Sequence, residues 1–500
     1  RHGKMRGVQR LRSVVRSYSG ARLNGVIPGT QHLGVMSTTP QELLQSRKQS
    51  TLAGTQQLQK TTCSLAANTV TAAAPDVAAS AAAAATSVRS ATVRTITTST
   101  SNKQNNPELV HETSGEELVY EASAGTKKLQ VRFGDGHLSE YPYAWIRENC
   151  QCPQCFNSEA IARTFLVEDL DVNLKPREIK VTEDTNITVT WEDGHISPLT
   201  GSWLRCRSFT SEARKRNRAR YKLKRIPWRE DFKLPELDFD EVMNSEHAIL
   251  DWIVKLERYG VLLLKNSPAQ VGPILDLMDK LGFVKKTHYG TDYEIITSHF
   301  TNNLAYTGSK LALHTDLPYL DYFPGTTWLH CIKQHEGLGG DNDLCDGIMA
   351  AEILREKHPE HFKTLTTSYI YFQDKGRETY EFDQMNKTTT IVLDDLGEVS
   401  RLHCSSQSRD SIMDLDSDQV IEFYEALKTF SHILIDVSIR KKTEPGDIIV
   451  IDNSRVFHGR QAFDPLTAKG QRHIHNAYID WDWLRSKRRV LQDKLKIHFE

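Results

Sequence analysis

The chain has 500 residues, with 63 Lys+Arg against 64 Asp+Glu and a formal net charge of −1. That length suits two or three domains with ample core. The charge is unevenly spread: residues 1–106 hold thirteen basic residues and only two acids, Glu42 and Asp76. The remainder is therefore acidic overall, which argues against nucleic acid as its main partner.

Residues 1–41 contain no acid and carry Arg6, Arg10, Arg12, Arg16 and Arg22 among small and apolar residues. Mitochondrial transit peptides have that composition. The matrix is the expected compartment, with the cytoplasm as the alternative, and Met5 is a possible start. Residues 50–106 are rich in Ala, Thr and Ser and are expected to form a linker without a packed core, so that 1–106 stands apart from the folded chain. The alanine run near 78–85 is shorter than the about 20 apolar residues a spanning helix needs, so no membrane partner is expected.

Residues 107–205 read as a first folded domain. Short alternating strands are expected at 129–133, 143–147, 178–181 and 187–191, with turns at Gly134-Asp135-Gly136 and Glu192-Asp193-Gly194-His195. Cys150, Cys152 and Cys155 form a C-x-C-x-x-C run, the one cluster among eight cysteines. Three thiolates so spaced can wrap one tetrahedral cation and need a fourth N or S donor. His195 is the choice, because its turn follows a strand able to fold back on the cysteines. Cys206 and His137 compete, although His137 reads better as a solvated turn residue. The expectation is a closed, structural Zn(II) site and not a secreted disulfide framework.

Eight basic residues follow between Arg214 and Arg225. They read as a solvated helix balanced by the acidic body in preference to a nucleic-acid or membrane patch. Amphipathic helices are expected near 239–258 and 269–281, bracketing a strand at 261–264. The domain they open, 225–500, contains many short apolar runs separated by Gly/Asp/Pro turns, with helical insertions near 349–365 and 417–433. The expected class is mainly β with helical insertions, a jelly-roll, cupin-like double-stranded β-helix beside the small zinc-binding β domain.

Its chemistry is signalled by Leu311-Ala312-Leu313-His314-Thr315-Asp316. In an extended chain residues two apart share a face, so His314 and Asp316 can aim an imidazole and a carboxylate at one point. With 19 histidines in the chain, about one His-x-Asp is expected by chance. The second signal lies far downstream, where Asp452-Asn453-Ser454-Arg455-Val456-Phe457-His458 follows the apolar run 448–451. Two histidines and a carboxylate make the facial triad that holds Fe(II) with open positions. Arg472, fourteen residues after His458, adds a cation, and the set suggests a 2-oxoglutarate oxygenase.

These stretches, with Trp145-Ile146-Arg147-Glu148-Asn149-Cys150, Asn303-Leu304-Ala305-Tyr306-Thr307 and Leu329-His330-Cys331-Ile332-Lys333-Gln334, resemble the gamma-butyrobetaine dioxygenase / trimethyllysine dioxygenase family across roughly 125–490. The cysteine knuckle and Asn303 favour the butyrobetaine branch. The resemblance implies iron on His314, Asp316 and His458, and zinc on Cys150, Cys152, Cys155 and His195. It implies 2-oxoglutarate held by Arg472 and Leu329, and a trimethylammonium cage of Tyr289, Tyr293, Tyr306 and Tyr478, with Asn303 on the substrate carboxylate. It further implies O2 as co-substrate, ascorbate as a supporting reductant, and a homodimer. A quaternary ammonium donates no hydrogen bonds, so aromatic faces are its natural partners. Two departures stand out: Tyr293 replaces the family's usual Trp, and Ser405-Ser406 replaces an Asn-Asn pair. The activity implied is hydroxylation of a trimethylammonium carboxylic acid, gamma-butyrobetaine first. Trimethyllysine or a paralogue's substrate is the alternative, and a zinc-containing binding module with a vestigial iron site is the reading from another class.

Overall fold

The computed structural model describes residues 118–297, 304–377, 380–464, 471–497 and 499. The expectations for residues 1–106, and for Asn303, lie outside that range.

Two three-stranded antiparallel sheets open the described chain: Val119–Ala124, Lys128–Phe133 and Leu138–Pro142, then Pro176–Val181, Ile187–Trp191 and Ile196–Leu199. Leu129, Val131 and Phe133 alternate inward with Ile187, Val189 and Trp191 to form one core, the period of two that a half-buried strand shows. Tyr143–Glu148, expected as a strand, is a helix. Tyr143 and Ile146, three apart, are its buried residues, and in so short a stretch helical and strand periods look alike. The helix ends at Asn149, just before the cysteine run.

The basic run is only partly the solvated helix expected. Ser211–Tyr221 is helical and largely exposed. Beyond it, however, Arg225 donates to the carbonyls of Val399 and Ser400 at 3.0 Å each, and burial lowers the Lys222 pKa to about 8.

From residue 236 the strands form a six-stranded sheet in the order Asp292–Ile296, His473–Ile479, Thr326–Lys333, Ile448–Asp452, Val261–Lys265, Glu236–Asp238. A four-stranded sheet runs Leu311–His314, Val456–Arg460, Asn342–Asp346, Ile439–Lys441. Val261, Leu263, Ile449 and Ile451 meet Leu344 and Val456 between the sheets. The alternate residues Leu262, Leu264, Ile448 and Val450 pack outward with Ile253, Leu277 and Leu484 of three helices. Burial on both faces is why these strands read as unbroken apolar runs. Helices Gly347–Lys357, Pro359–Thr367 and Ser417–Asp436 cover the other side of the smaller sheet. This is the double-stranded β-helix with helical insertions.

Punctuation refines the helices. The expected 239–258 helix is two, Phe239–Asn244 and Glu246–Tyr259, because Ser245 is extended and its side chain caps the second. The 349–365 insertion breaks at His358, before a proline at the first helical position. The helix expected near 269–281 begins only at Pro273.

A buried histidine gives this fold a signed pH dependence. Burial, with His475 close by, lowers the His330 pKa to about 4, and burial with Arg401 nearby does the same to His403. Unfolded, both titrate near 6.5, so below that value the unfolded chain binds protons that the fold refuses. Their stabilisation is whole above pH 6.5 and is lost as pH falls toward 4. Thermal unfolding between pH 7 and 4.5 should show the decline, and His330→Gln should flatten it.

Candidate active site

His314 ends one strand of the smaller sheet and lies directly opposite His458 on its neighbour. Their rings stand 4.3 Å apart between centroids. The strands approach so closely that a Cβ on Gly459 would lie 2.7 Å from the Leu311 carbonyl, which only glycine avoids. Asp316 lies beyond the strand, so extended alternation is not what aims it. It sits in a turn whose next residue, Leu317, has φ +54°, a left-handed conformation that non-glycine residues rarely adopt. Asn453 clamps that turn: its Oδ1 accepts from Asp316 N at 2.7 Å, and its Nδ2 donates to the Asp316 and Pro324 carbonyls at 2.9 and 3.1 Å.

The Asp316 carboxylate thereby comes within 3.3 Å of His314 Nε2 and 3.5 Å of His458 Nε2. His314 Nδ1 is 2.9 Å from the Ala312 carbonyl, a contact that makes Nδ1 the donor and leaves the Nε2 lone pair facing the carboxylate. Thr327 Oγ1 donates to Asp316 Oδ2 at 2.9 Å, leaving Oδ1 for the histidine side. Burial opposes ionisation of Asp316, but the charge of the two imidazoles when protonated outweighs it and holds its pKa well below the usual carboxylate range. Burial lowers that of His458. Three donors thus converge on one point from one side, as a single metal ion with free positions requires.

Aromatic residues lie beside this point. Tyr478 OH donates to Asp316 Oδ2 at 3.3 Å and is 2.8 Å from Tyr293 OH. Tyr293 stacks on Tyr289 with centroids 4.4 Å apart and lies 6.1 Å from Tyr478. Tyr306, in the Leu304–Tyr306 turn, is within electrostatic reach of Tyr293. Burial and the Asp316 charge raise the pKa of Tyr293 and Tyr478, so these rings stay neutral. Ser405 does not join them: it is buried, with its hydroxyl bonded to Gln407 Oε1 and Ser408 N in its own turn. Ser406 is exposed.

Arg472 is 7% exposed, and no hydrogen bond or ion pair of its side chain is found among the described residues. Burial, reinforced by Arg460, brings its pKa down to about 10. Its charge reaches Cys331. Since Thr327 touches Asp316 and alternates with Leu329 and Cys331 along one strand, half-buried Leu329 stands between the carboxylate and the guanidinium. An isolated buried cation is costly unless something pairs with it, so the surroundings of Arg472 suit an anion.

A second cluster lies in the N-terminal module. His195 Nε2 is 3.3, 3.6 and 3.6 Å from the sulfurs of Cys150, Cys152 and Cys155. Cys206 is exposed and is no member of this cluster. His137 is no member either; it is half-buried after its turn, with its Nε2 3.1 and 3.4 Å from the hydroxyls of Ser139 and Ser208.

Residues 224–478 match the Taurine catabolism dioxygenase TauD, TfdA family, and residues 120–205 match the Gamma-butyrobetaine hydroxylase-like, N-terminal family. The chain belongs to the TauD/TfdA dioxygenase family. Among its relatives is the Gamma-butyrobetaine dioxygenase of Homo sapiens, 34% identical over 75% of this chain and 97% of the relative. That of Pseudomonas sp. (strain AK-1) is 29% identical over 74% and 95%. The mitochondrial Trimethyllysine dioxygenase of Homo sapiens is 25% identical over 76% and 89%. As a TauD/TfdA member the chain is an Fe(II)- and 2-oxoglutarate-dependent dioxygenase.

Thr327 and Asn453 are the contributors that motif spacing did not assign. Thr327→Val keeps the shape of this fully buried side chain while removing its hydrogen bond to Asp316. Loss of such an outer partner should weaken metal binding about tenfold, readable by Co(II) titration with the melting temperature nearly unchanged.

Proposed function

We propose that this dioxygenase hydroxylates a trimethylammonium carboxylic acid, with gamma-butyrobetaine as the foremost substrate. The observation that carries this reading is the run of neutral tyrosines, Tyr289, Tyr293 and Tyr478, stacked or tilted together and ending on Asp316. Ring faces attract a quaternary ammonium by about 0.5–2 kcal/mol each. The names of the relatives at 34% and 29% identity point to the same substrate.

In this reading His314, Asp316 and His458 hold Fe(II), which with 2-oxoglutarate and O2 supplies the oxidising power to insert oxygen into a C–H bond. Arg472 neutralises the distal carboxylate of 2-oxoglutarate, a role that a buried guanidinium without a partner among the described residues fits. Leu329 lies along the hydrocarbon between. The tyrosines fix the ammonium and Asn303 the substrate carboxylate, so one C–H is presented to the metal. Thr327 and Asn453 keep Asp316 aimed.

Cys150, Cys152, Cys155 and His195 hold Zn(II) in the same reading. Zn–S bonds of about 2.3 Å and a Zn–N bond of about 2.0–2.1 Å at tetrahedral angles separate S from N by about 3.5 Å, and the three separations here are 3.3–3.6 Å. The acid-free stretch 1–41 supports a mitochondrial address. Ascorbate dependence and a homodimer belong to the reading through family resemblance.

Succinate release across a panel of gamma-butyrobetaine, trimethyllysine and the neutral carbon isostere of gamma-butyrobetaine tests the substrate. The expected order puts gamma-butyrobetaine first and the isostere last; a preference for trimethyllysine would reassign it. His314→Ala should abolish succinate formation, and unchanged turnover would overturn the iron assignment. Metal analysis should find one zinc per chain that survives loss of iron, while Cys152→Ser should lower both zinc content and melting temperature.

A further inference from the structure

Among the described residues, the strand carrying Tyr293, Asp292–Ile296, is the outermost of its sheet and pairs only with His473–Ile479. An edge strand held on one side has little to fix its lateral position. Tyr293 points inward to the other tyrosines, so its neighbour Asp292 falls on the opposite face. There Asp292 Oδ2 is 2.7 Å from His475 Nε2, and Asp292 Oδ1 accepts from Thr291 Oγ1 at 2.9 Å.

The two oxygens therefore tie together different parts of the wall. Thr291 belongs to the tight turn that presents Tyr289, in which Thr287 and Gly290 bridge and Gly290 has φ +112°. His475 belongs to the inner strand and is 0% exposed, so its ring cannot follow a displaced carboxylate. In the ladder His475 sits opposite Glu294 and His330, not Asp292, so its bond crosses diagonally to Asp292. Across Tyr293, Glu294 Oε2 lies 2.7 Å from His473 Nε2 in the same diagonal sense. Tyr293 is thus bracketed by two cross-strand contacts on the face away from the substrate.

We propose that Asp292, through His475, is a positioning residue that sets the separation of Tyr289 and Tyr293 and hence the affinity for the quaternary ammonium. It touches neither substrate nor metal. The inference rests on the tyrosines being the ammonium site, and predicts an effect on that ligand alone.

Asp292→Ala and Asp292→Asn in the full chain test it, with gamma-butyrobetaine as probe and both product and succinate measured. Asp292→Ala should raise the KM for gamma-butyrobetaine about tenfold, with kcat and the KM for 2-oxoglutarate within about twofold of the parent. Asp292→Asn keeps an acceptor for His475 and should recover most of the loss. Should Asp292→Ala not fold, His475→Gln against His475→Ala makes the same comparison from the donor side. An unaltered KM in the alanine variants, or a parallel rise in both KM values, overturns the proposal. If the parent protein itself does not turn over gamma-butyrobetaine, it is the substrate assignment that fails.

Discussion

His314 and His458 face each other across one antiparallel ladder, and the register of that ladder fixes the geometry of everything around it. A slip of one residue would send both imidazoles to the opposite face. The register is held at several points. Gly459 permits the close approach beside His458. Just before this strand, Arg455 makes a bidentate pair with Asp346 at 2.8 and 3.0 Å, both side chains being fully buried, and also donates to the Arg258 and Ile226 carbonyls. A bidentate pair with its remaining donors satisfied restricts geometry more than a lone buried charge would. Asn453, in the same turn, then holds Asp316. The left-handed Leu317 is tolerable because these contacts over-determine its neighbour.

The residues around Asp316 are also divided by charge. At one end stand neutral phenols against the Asp316 carboxylate; at the other stands the buried Arg472 guanidinium, with Arg460 nearby. A dicarboxylate meets its counter-charge only at the second end, and a quaternary ammonium would be repelled there. On the substrate reading proposed above, repulsion as much as attraction would keep the two ligands in order, which is how specificity commonly arises. Arg460 adds to the second end without being available to a ligand, since its guanidinium is spent on the carbonyls of Ala305, Thr307 and Ser309.

Much of this was legible in the chain. The apolar run at 448–451 announced a strand buried on both faces, and His314, Asp316 and His458 could be picked out as a group, which the structure brings together, because donor type and spacing are themselves the signal. The knuckle cysteines did the same, and His195 was reachable because its turn follows a strand. The helix over Tyr143–Glu148 was misread because six residues hold too little period to separate helix from strand. Asp316 was included for the wrong reason: a turn, not strand alternation, delivers it. His475 and Asp292 were invisible as a pair because their meaning lies in cross-strand register, which pairs residues more than a hundred positions apart, and Thr327 because its bond to Asp316, eleven positions away, depends on the turn between them.

The two metal-type clusters differ in the way that separates structural from reactive centres. Around His195, three sulfurs and one nitrogen supply four protein donors, enough to complete a tetrahedron and leave nothing open. Around Asp316, three donors come together; among the described residues the Tyr478 hydroxyl is a donor already directed at Asp316 Oδ2, and Thr327 is likewise committed. Neither is free to fill a coordination position. On the metal reading proposed above, the number of donors and the prior engagement of their neighbours would leave one cluster closed and the other open to exogenous ligands.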